Sequence, residues 1–269
     1  IAILENESDI AQECLKRAVE LDPKNFWYRY RLAMLHAYTG SEEVAVDMYE
    51  KLLVDFPKKS GLYFEMVELY TGQGNYEKAL ETIEEIENEF GQSEPLAMTE
   101  YRILHIMERP EDAMQALREY NSRYSSPYIL CILAEDEMLR YNDSTAIAYY
   151  DEALDLDSSF AHALVGKAEV YRMTHRYEEY FPVLDEYIRC PDATAAEKAE
   201  YLLALMEKGD PKFLRVFRPQ MDAVIRSFVE VHANDEKVYE VGGMYYFYTG
   251  RLDQSRAYFM AYAEACPES

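Results

Sequence analysis

The chain has 269 residues, with 27 Lys or Arg against 51 Asp or Glu, so its net charge is −24. Gly and Pro supply only 10 residues each, which excludes the turn-rich pattern of many-stranded β folds, and 49% apolar residues exclude wholesale disorder. The charge repels nucleic-acid phosphates and anionic headgroups, and no apolar run approaches the length of a bilayer span. We therefore expect a mostly helical chain with no nucleic-acid partner and no direct membrane insertion.

The first predicted element is a helix over 10–21, which has the spacing of the second helix of a hairpin. A complete hairpin follows over 26–57, where Thr39-Gly40 marks the turn between two patterns of helical periodicity. In its second helix, small Ala45 precedes large Tyr49 by four residues. Small against large allows two helices to approach closely while the ring fills the adjoining space.

The turn between paired helices recurs at intervals of 34, 34, 33, 34 and 75 residues, the last being two units of 34 plus seven residues. The turn residues are Gly40, Gly74, Glu108, Tyr141, His175 and Gly250. The extra residues fall between Gly209-Asp210-Pro211 and Arg218-Pro219, where prolines predict helices over 194–208 and 219–232 with a short helical turn over 212–217. This stretch is either a tolerated insertion or a local hinge or docking bulge.

The period, together with the small and large residues of each second helix, resembles the tetratricopeptide repeat. The resemblance implies an all-α fold, a right-handed α-solenoid of helix-turn-helix repeats, forming one superhelix over 1–269. The predicted units are a half repeat over 1–25, repeats over 26–59, 60–93, 94–126, 127–160 and 161–192, a degenerate stretched repeat over 193–235 and a terminal repeat over 236–269.

No motif in the sequence predicts catalysis. HExxH, GxSxG, GxxxxGK[ST] and GxGxxG are all absent, and the glutamates between 81 and 89 are typical of a solvated helix face. Gly242-Gly243 falls within a predicted first helix, where it favours close helix packing rather than phosphate binding. The cysteines are too far apart for a CxxC pair: Cys14, Cys131, Cys190 and Cys266. We expect no enzyme activity, no metal site and no cofactor.

In repeats of this kind the first helix of each pair lines the concave side of the superhelix. The residues expected there alternate aromatic or Met anchors with charged groups, which suits a neutral to basic peptide with apolar anchors. They are Trp27, Tyr30, Met34, Tyr38, Phe64, Glu68, Met98, Arg102, Glu135, Met138, Glu169, Arg172, Met244, Phe247 and Tyr248. His105, Cys131 and Val165 occupy similar positions and are expected in the same groove.

We therefore predict a non-catalytic scaffold that binds a protein or peptide partner. The alternative is a regulatory or docking module of a longer multidomain enzyme or sensor, since the sequence begins abruptly at Ile1. Self-association through terminal repeats is a third possibility.

The 25 tyrosines, the acidity and the opening of one unit by Asp22 to Tyr28 are similar to exported tetratricopeptide proteins of Bacteroidota. That similarity implies a periplasmic or cell-envelope location, with the cytoplasm as the alternative.

Overall fold

The computed structural model describes residues 8–208 and 211–265. Over these ranges the chain forms sixteen helices and no strand, so the predicted all-α class is confirmed and the helices are consistent with an α-solenoid. The helices are α1 (Ser8–Leu21), α2 (Phe26–Tyr38), α3 (Glu42–Asp55), α4 (Ser60–Gly72), α5 (Tyr76–Phe90), α6 (Glu94–Ile106), α7 (Pro110–Asn121), α8 (Pro127–Leu139), α9 (Asp143–Leu156), α10 (Ala161–Met173), α11 (Tyr177–Arg189), α12 (Ala195–Lys208), α13 (Pro211–Val216), α14 (Arg218–Val231), α15 (Lys237–Tyr248) and α16 (Leu252–Ala265).

The chain divides into two compact units, Ile1–Arg123 and Tyr124–Ser269. In the first unit each helix packs against the next along the chain, from α1 to α7. In the second unit α8 to α11 follow the same order, but then the order changes, because α11 packs on α14 and α12 packs on α15. We call α2, α4, α6, α8, α10 and α15 the first helices and their following partners α3, α5, α7, α9, α11 and α16 the second helices.

The recurring turn residue has the same backbone conformation in every hairpin. All six have φ between 58° and 77°, in the left-handed region, although three of them are not glycine: Glu108, Tyr141 and His175. After each turn residue, the next amide donates to the carbonyl five residues earlier, as from Ser41 to His36 at 2.8 Å and from Arg176 to Tyr171 at 2.8 Å. This bond satisfies a carbonyl at the end of the first helix and reverses the chain.

Tyr141 offers a test of this turn, because its φ is 62° and its side chain is 89% exposed. A left-handed conformation costs an L-residue about 1–2 kcal/mol, whereas glycine adopts it freely at the expense of a more flexible unfolded chain. We expect Tyr141→Gly to raise the free energy of unfolding by about 1 kcal/mol in urea titrations, and Gly74→Ala to lower it by a similar amount. A loss of stability in Tyr141→Gly would contradict the strain argument.

Small residues let the paired helices approach closely. In four second helices the alanine five residues after the turn residue is fully buried, and so is the large residue four positions later, as with Ala146 and Tyr150. The Tyr150 ring lies against Gly166 of α10, where a Cβ would be only 2.5 Å from the ring. At Gly242, a Cβ would lie 2.3 Å from the ring of Tyr258 on α16. The interpretation of Gly242-Gly243 as a close-packing site is confirmed.

The stretched repeat contains the three predicted helical segments, observed as α12, α13 and α14. Gly209 and Asp210, which were predicted to break the first of them, lie outside the described residues. The short helix α13 is anchored by aromatic contacts, because the Phe217 ring that follows it lies 4.4 Å from Tyr177 and Phe213 stacks on Phe181 at 6.0 Å. The inserted segment therefore contributes to the core of the second unit.

Candidate functional site

The first helices place the predicted binding residues at or near the surface. Eight of the fifteen are exposed: Trp27, Tyr38, Phe64, Glu68, Arg102, Glu135, Phe247 and Tyr248. The other seven are half-buried: Tyr30, Met34, Met98, Met138, Glu169, Arg172 and Met244.

Cys131 was expected in the same groove, and that expectation is wrong. Its side chain is fully buried in a core cluster with Leu130 and Tyr150. Burial raises the pKa of the Cys131 thiol to about 12, with a further contribution from the carboxylate of Glu135. Adjacent positions on a helix point about 100° apart, so an error of one position moves a side chain from the surface to the core.

In the first unit, an aromatic group connects two first helices. The Tyr30 hydroxyl on α2 donates to the Glu65 carboxylate on α4 at 2.7 Å, and the Trp27 ring lies 6.2 Å from Tyr30. Burial, together with Glu65 and then Glu68, raises the pKa of Tyr30 to about 12. Phe64, next to Glu65, is exposed. This surface therefore combines apolar rings with carboxylates.

In the second unit, two of the predicted charged residues are paired with each other. Arg172 forms a salt bridge with Glu169 at 2.6 Å, and the Tyr201 hydroxyl also donates to Glu169. The hydrogen bond and charge of Glu169 raise the pKa of Arg172 above its ordinary value against the opposing effect of burial. The Glu169 carboxylate is thus largely satisfied within the chain.

Glu135, another predicted binding residue of the second unit, is paired with a histidine. His162 Nε2 lies 2.7 Å from the Glu135 carboxylate, and this hydrogen bond raises the pKa of His162 while burial lowers it. Because His162 belongs to α10 and Glu135 to α8, the pair connects neighbouring first helices. A basic ligand group reaching Glu135 would compete with His162.

Large apolar side chains recur at the last residue of the first helices. Two positions before the turn residue, five of the six hairpins carry a large apolar residue that is exposed: Tyr38, Ile106, Leu139, Met173 and Tyr248. Of these five residues, only Tyr38 and Tyr248 were predicted from the sequence to lie on the binding surface. The other three could have been predicted from the turn spacing, since each lies two positions before a turn residue: Glu108, Tyr141 or His175.

A groove of about 800 Å³ between α11 and α14 was not predicted at all. Its apolar wall includes Tyr177, Phe181, Pro182, Phe217 and Val224, and charged side chains of both signs surround it. The groove arises because α11 packs directly on α14 in the irregular part of the second unit.

A second groove, of about 440 Å³, lies in the first unit between α5 and α7. Its lining includes Glu84, Glu87, Glu119 and the half-buried Glu100, while Arg109 is paired with Asp112 at 2.7 Å. Burial, followed by the charges of Glu87 and Glu119, raises the pKa of Glu100 to about 7. Some of the α5 glutamates that were expected on a solvated helix face, including Glu84 and Glu87, therefore line a concave surface.

Lys198 is a buried cation in the second unit. Its amine donates to the Cys190 carbonyl at 2.6 Å and lies 3.3 Å from Nε2 of His232. Cys190 follows the last residue of α11, so the ammonium group interacts with the negative end of that helix. Burial lowers the pKa of Lys198. Its hydrogen bond to the Cys190 carbonyl links α12 to the end of α11, so we assign Lys198 a structural role.

Among the residues that the structure describes, no group of three or more His, Cys, Asp or Glu side chains is placed to hold a metal ion. Across the same ranges, none of the helices is both long and apolar enough to cross a bilayer. Cys266 lies outside these ranges.

Comparison with known proteins supports the repeat. Residues 28–59 match a family model described as a tetratricopeptide repeat. No curated protein matches the sequence significantly.

Among solved structures, the chain is similar to the C-terminal part of a tetratricopeptide repeat-containing protein from Cytophaga hutchinsonii. That match has a TM-score of 0.60 and 11% identity, and covers 88% of this chain and 95% of that one. It is also similar to a tetratricopeptide repeat protein from Parabacteroides merdae, with a TM-score of 0.45, 16% identity and coverage of 89% and 92%. The chain thus has the fold of tetratricopeptide-repeat proteins, and residues 28–59 carry a recognisable copy of the repeat.

Proposed function

We propose that this chain is a non-catalytic scaffold that binds a neutral to basic peptide or protein segment, with apolar anchors, along the face of its first helices. Tetratricopeptide repeats generally mediate contacts between proteins. One observation carries the proposal: of the eleven exposed aromatic residues in the described ranges, seven belong to first helices. They are Trp27, Tyr28, Tyr38, Phe64, Tyr128, Phe247 and Tyr248.

The chemistry of this surface suggests how a partner would be recognised. Aromatic side chains provide large contact areas while losing few rotatable bonds, so they are effective anchors for apolar groups of a ligand. Near Trp27 and Phe64, the carboxylates of Glu65 and Glu68 favour Lys or Arg in the bound segment. The net charge of −24 would attract basic partners from a distance and make association weaken with added salt.

The binding test compares two variants of the first unit against a panel of synthetic peptides that combine Lys or Arg with aromatic or aliphatic anchors. We expect Trp27→Ala combined with Phe64→Ala to weaken binding at least about tenfold by calorimetry, because anchor truncation typically costs more than 1 kcal/mol. Phe90→Ala, which removes an exposed aromatic residue from the second helix α5, is the matched control and should bind normally.

Equal affinity in all three proteins would place the binding site elsewhere. The grooves between α11 and α14 and between α5 and α7 would then be the next surfaces to alter. Preferred binding of acidic peptides would contradict the proposed charge preference.

We also propose that the scaffold works in a cell-envelope assembly, in the periplasm or associated with the envelope. The support is the similarity to exported tetratricopeptide proteins of Bacteroidota noted from the sequence. Fractionation of the native cells with an antibody to the protein tests it. Recovery in the cytoplasmic fraction alone would contradict this location.

A further inference from the structure

The short helix α13 of the stretched repeat forms one side of a small pocket in the second unit. The pocket has a volume of about 360 Å³. Its other sides are the end of α10, the turn at His175, the start of α11 and Leu205 of α12. The regular hairpins contain no helix that corresponds to α13, so this pocket is a product of the stretched repeat.

The inner wall of the pocket is aromatic. The Tyr177 ring lies 4.4 Å from Phe217 and 5.6 Å from Phe213, and these two phenylalanine rings are 5.1 Å apart. Met173 and Val216 also line the pocket and are 60% and 63% exposed, so they lie at its opening. The volume is at the lower end of the range for small-molecule sites, about 300–1,000 Å³. The interior therefore suits one small aromatic or aliphatic group.

Charge distinguishes this pocket from the two grooves described above. Its lining includes Arg172, His175 and Lys212, and no acidic residue is among the described residues that line it. The grooves between α11 and α14 and between α5 and α7 each include three or more carboxylates. Residues 211–218 likewise contain three basic and no acidic side chains, in a chain of net charge −24. The lining of the pocket is therefore locally basic and favours an anion.

Two of the basic residues have nitrogen atoms outside their contacts within the chain. Arg172 donates to Glu169 through Nε and Nη2, so Nη1 lies outside that salt bridge. Nδ1 of His175 lies 2.9 Å from the Tyr177 hydroxyl. When that hydroxyl donates to Nδ1, Nε2 carries the hydrogen and can donate in turn. Hydrogen bonds from such groups to a carboxylate are stronger than those between neutral groups.

We propose that this pocket binds a small carboxylic acid in its ionised form. The aromatic or aliphatic group of the ligand packs against Phe213 and Phe217. Its carboxylate accepts hydrogen bonds from Arg172 and His175, and the Lys212 ammonium group adds to the attraction. The small volume favours a free molecule over a protein segment. This inference goes beyond the proposed function, and the peptide test in the first unit has a separate outcome.

The first test compares ligands that share a ring and differ in charge. Calorimetry of the full protein is carried out with phenylacetate, phenylacetamide and phenethylamine. We expect phenylacetate to bind at one site per chain, and the amide and the amine to bind at least about tenfold more weakly. Benzoate and hexanoate extend the series to other small acids.

Three results of this comparison would overturn the proposal. The first is equal affinity for the acid, the amide and the amine. The second is the absence of saturable binding by all three acids. The third is tighter binding of a peptide that carries Phe beside Glu, which would contradict a free molecule as the ligand.

The second test places the ligand in the pocket. Met173→Glu adds a carboxylate at the opening and should weaken phenylacetate binding at least about tenfold. Leu139→Glu is the matched control, because Leu139 is the exposed last residue of α8 as Met173 is of α10. Lys212→Gln should weaken binding about threefold or more, whereas Arg215→Gln, at an exposed position of α13 outside the pocket lining, should not. Binding that is unchanged in Met173→Glu and Lys212→Gln, or equally weakened in the controls, would overturn this location.

Discussion

Replacing Gly166 by Val is expected to lower the free energy of unfolding by about 3 kcal/mol, because overpacking a tight helix contact forces ring and backbone out of place. A Cβ at this position would lie 2.5 Å from the Tyr150 ring. Tyr150 is fully buried in the core between α9 and α10, so the ring has no open space into which it can move. Urea unfolding followed by circular dichroism gives the measurement.

Gly61→Ala is the matched control for this prediction. Gly61 lies in the first turn of α4, and no atom lies within 4 Å of a Cβ added there. This substitution should raise the free energy of unfolding by up to about 1 kcal/mol, since Ala is the better helix former. Shortening the opposing side chain in the double variant Gly166→Val, Tyr150→Leu should recover part of the loss. Similar effects of the two single substitutions would contradict the close packing of Tyr150 on Gly166.

Replacing Glu100 by Gln is expected to raise the free energy of unfolding by about 2 kcal/mol at pH 8 and to change it little at pH 5. The pKa of Glu100 is raised to about 7 in the folded protein from an ordinary 4.5, so the folded state binds this proton more tightly than the unfolded state. Stability linked to Glu100 therefore increases as the pH falls from about 7 towards 4.5, and is lost above that window. Gln is uncharged throughout.

Glu84→Gln provides the control in the same groove, because Glu84 is exposed and its carboxylate is well solvated. It should change the free energy of unfolding by no more than a few tenths of a kcal/mol at either pH. Thermal unfolding at a series of pH values separates the two variants. A Glu100→Gln protein with the same pH profile as the unaltered chain would mean that this carboxylate is not destabilised by burial.

The turn spacing made the repeating fold predictable from the sequence. Each repeat has a left-handed turn residue followed by a second helix with a small and a large residue four positions apart, such as Ala45 and Tyr49. The same pair, Ala146 and Tyr150, is present where the turn residue is Tyr141 instead of glycine. The same spacing would have identified the exposed apolar ends of α6, α8 and α10. Exposure of Trp27 and Phe64 followed from the helical period alone.

Other features depend on contacts between residues far apart in the sequence. From its position in the sequence, Glu169 was predicted to be an acidic residue of the binding groove. In the structure the hydroxyl of Tyr201, 32 residues later, donates a hydrogen bond to the Glu169 carboxylate, which is also paired with Arg172. The groove between α11 and α14 arises because α14, which begins 29 residues after the end of α11, packs directly on α11. The pKa of Glu100 is raised first by burial, and then by the charges of Glu87 in the preceding helix and Glu119 in the following one. Composition and periodicity contain no information about these pairings.

Trp27 permits the most direct measurement of the proposed binding surface, because it is the only tryptophan of the chain and is 61% exposed. Its fluorescence therefore reports on that surface alone. When the tightest-binding peptide of the panel is added, we predict a saturable shift of the emission to shorter wavelength, weakened by salt and reduced in Phe64→Ala. Unchanged emission while calorimetry registers binding of the same peptide would contradict recognition by the first-helix face of the first unit.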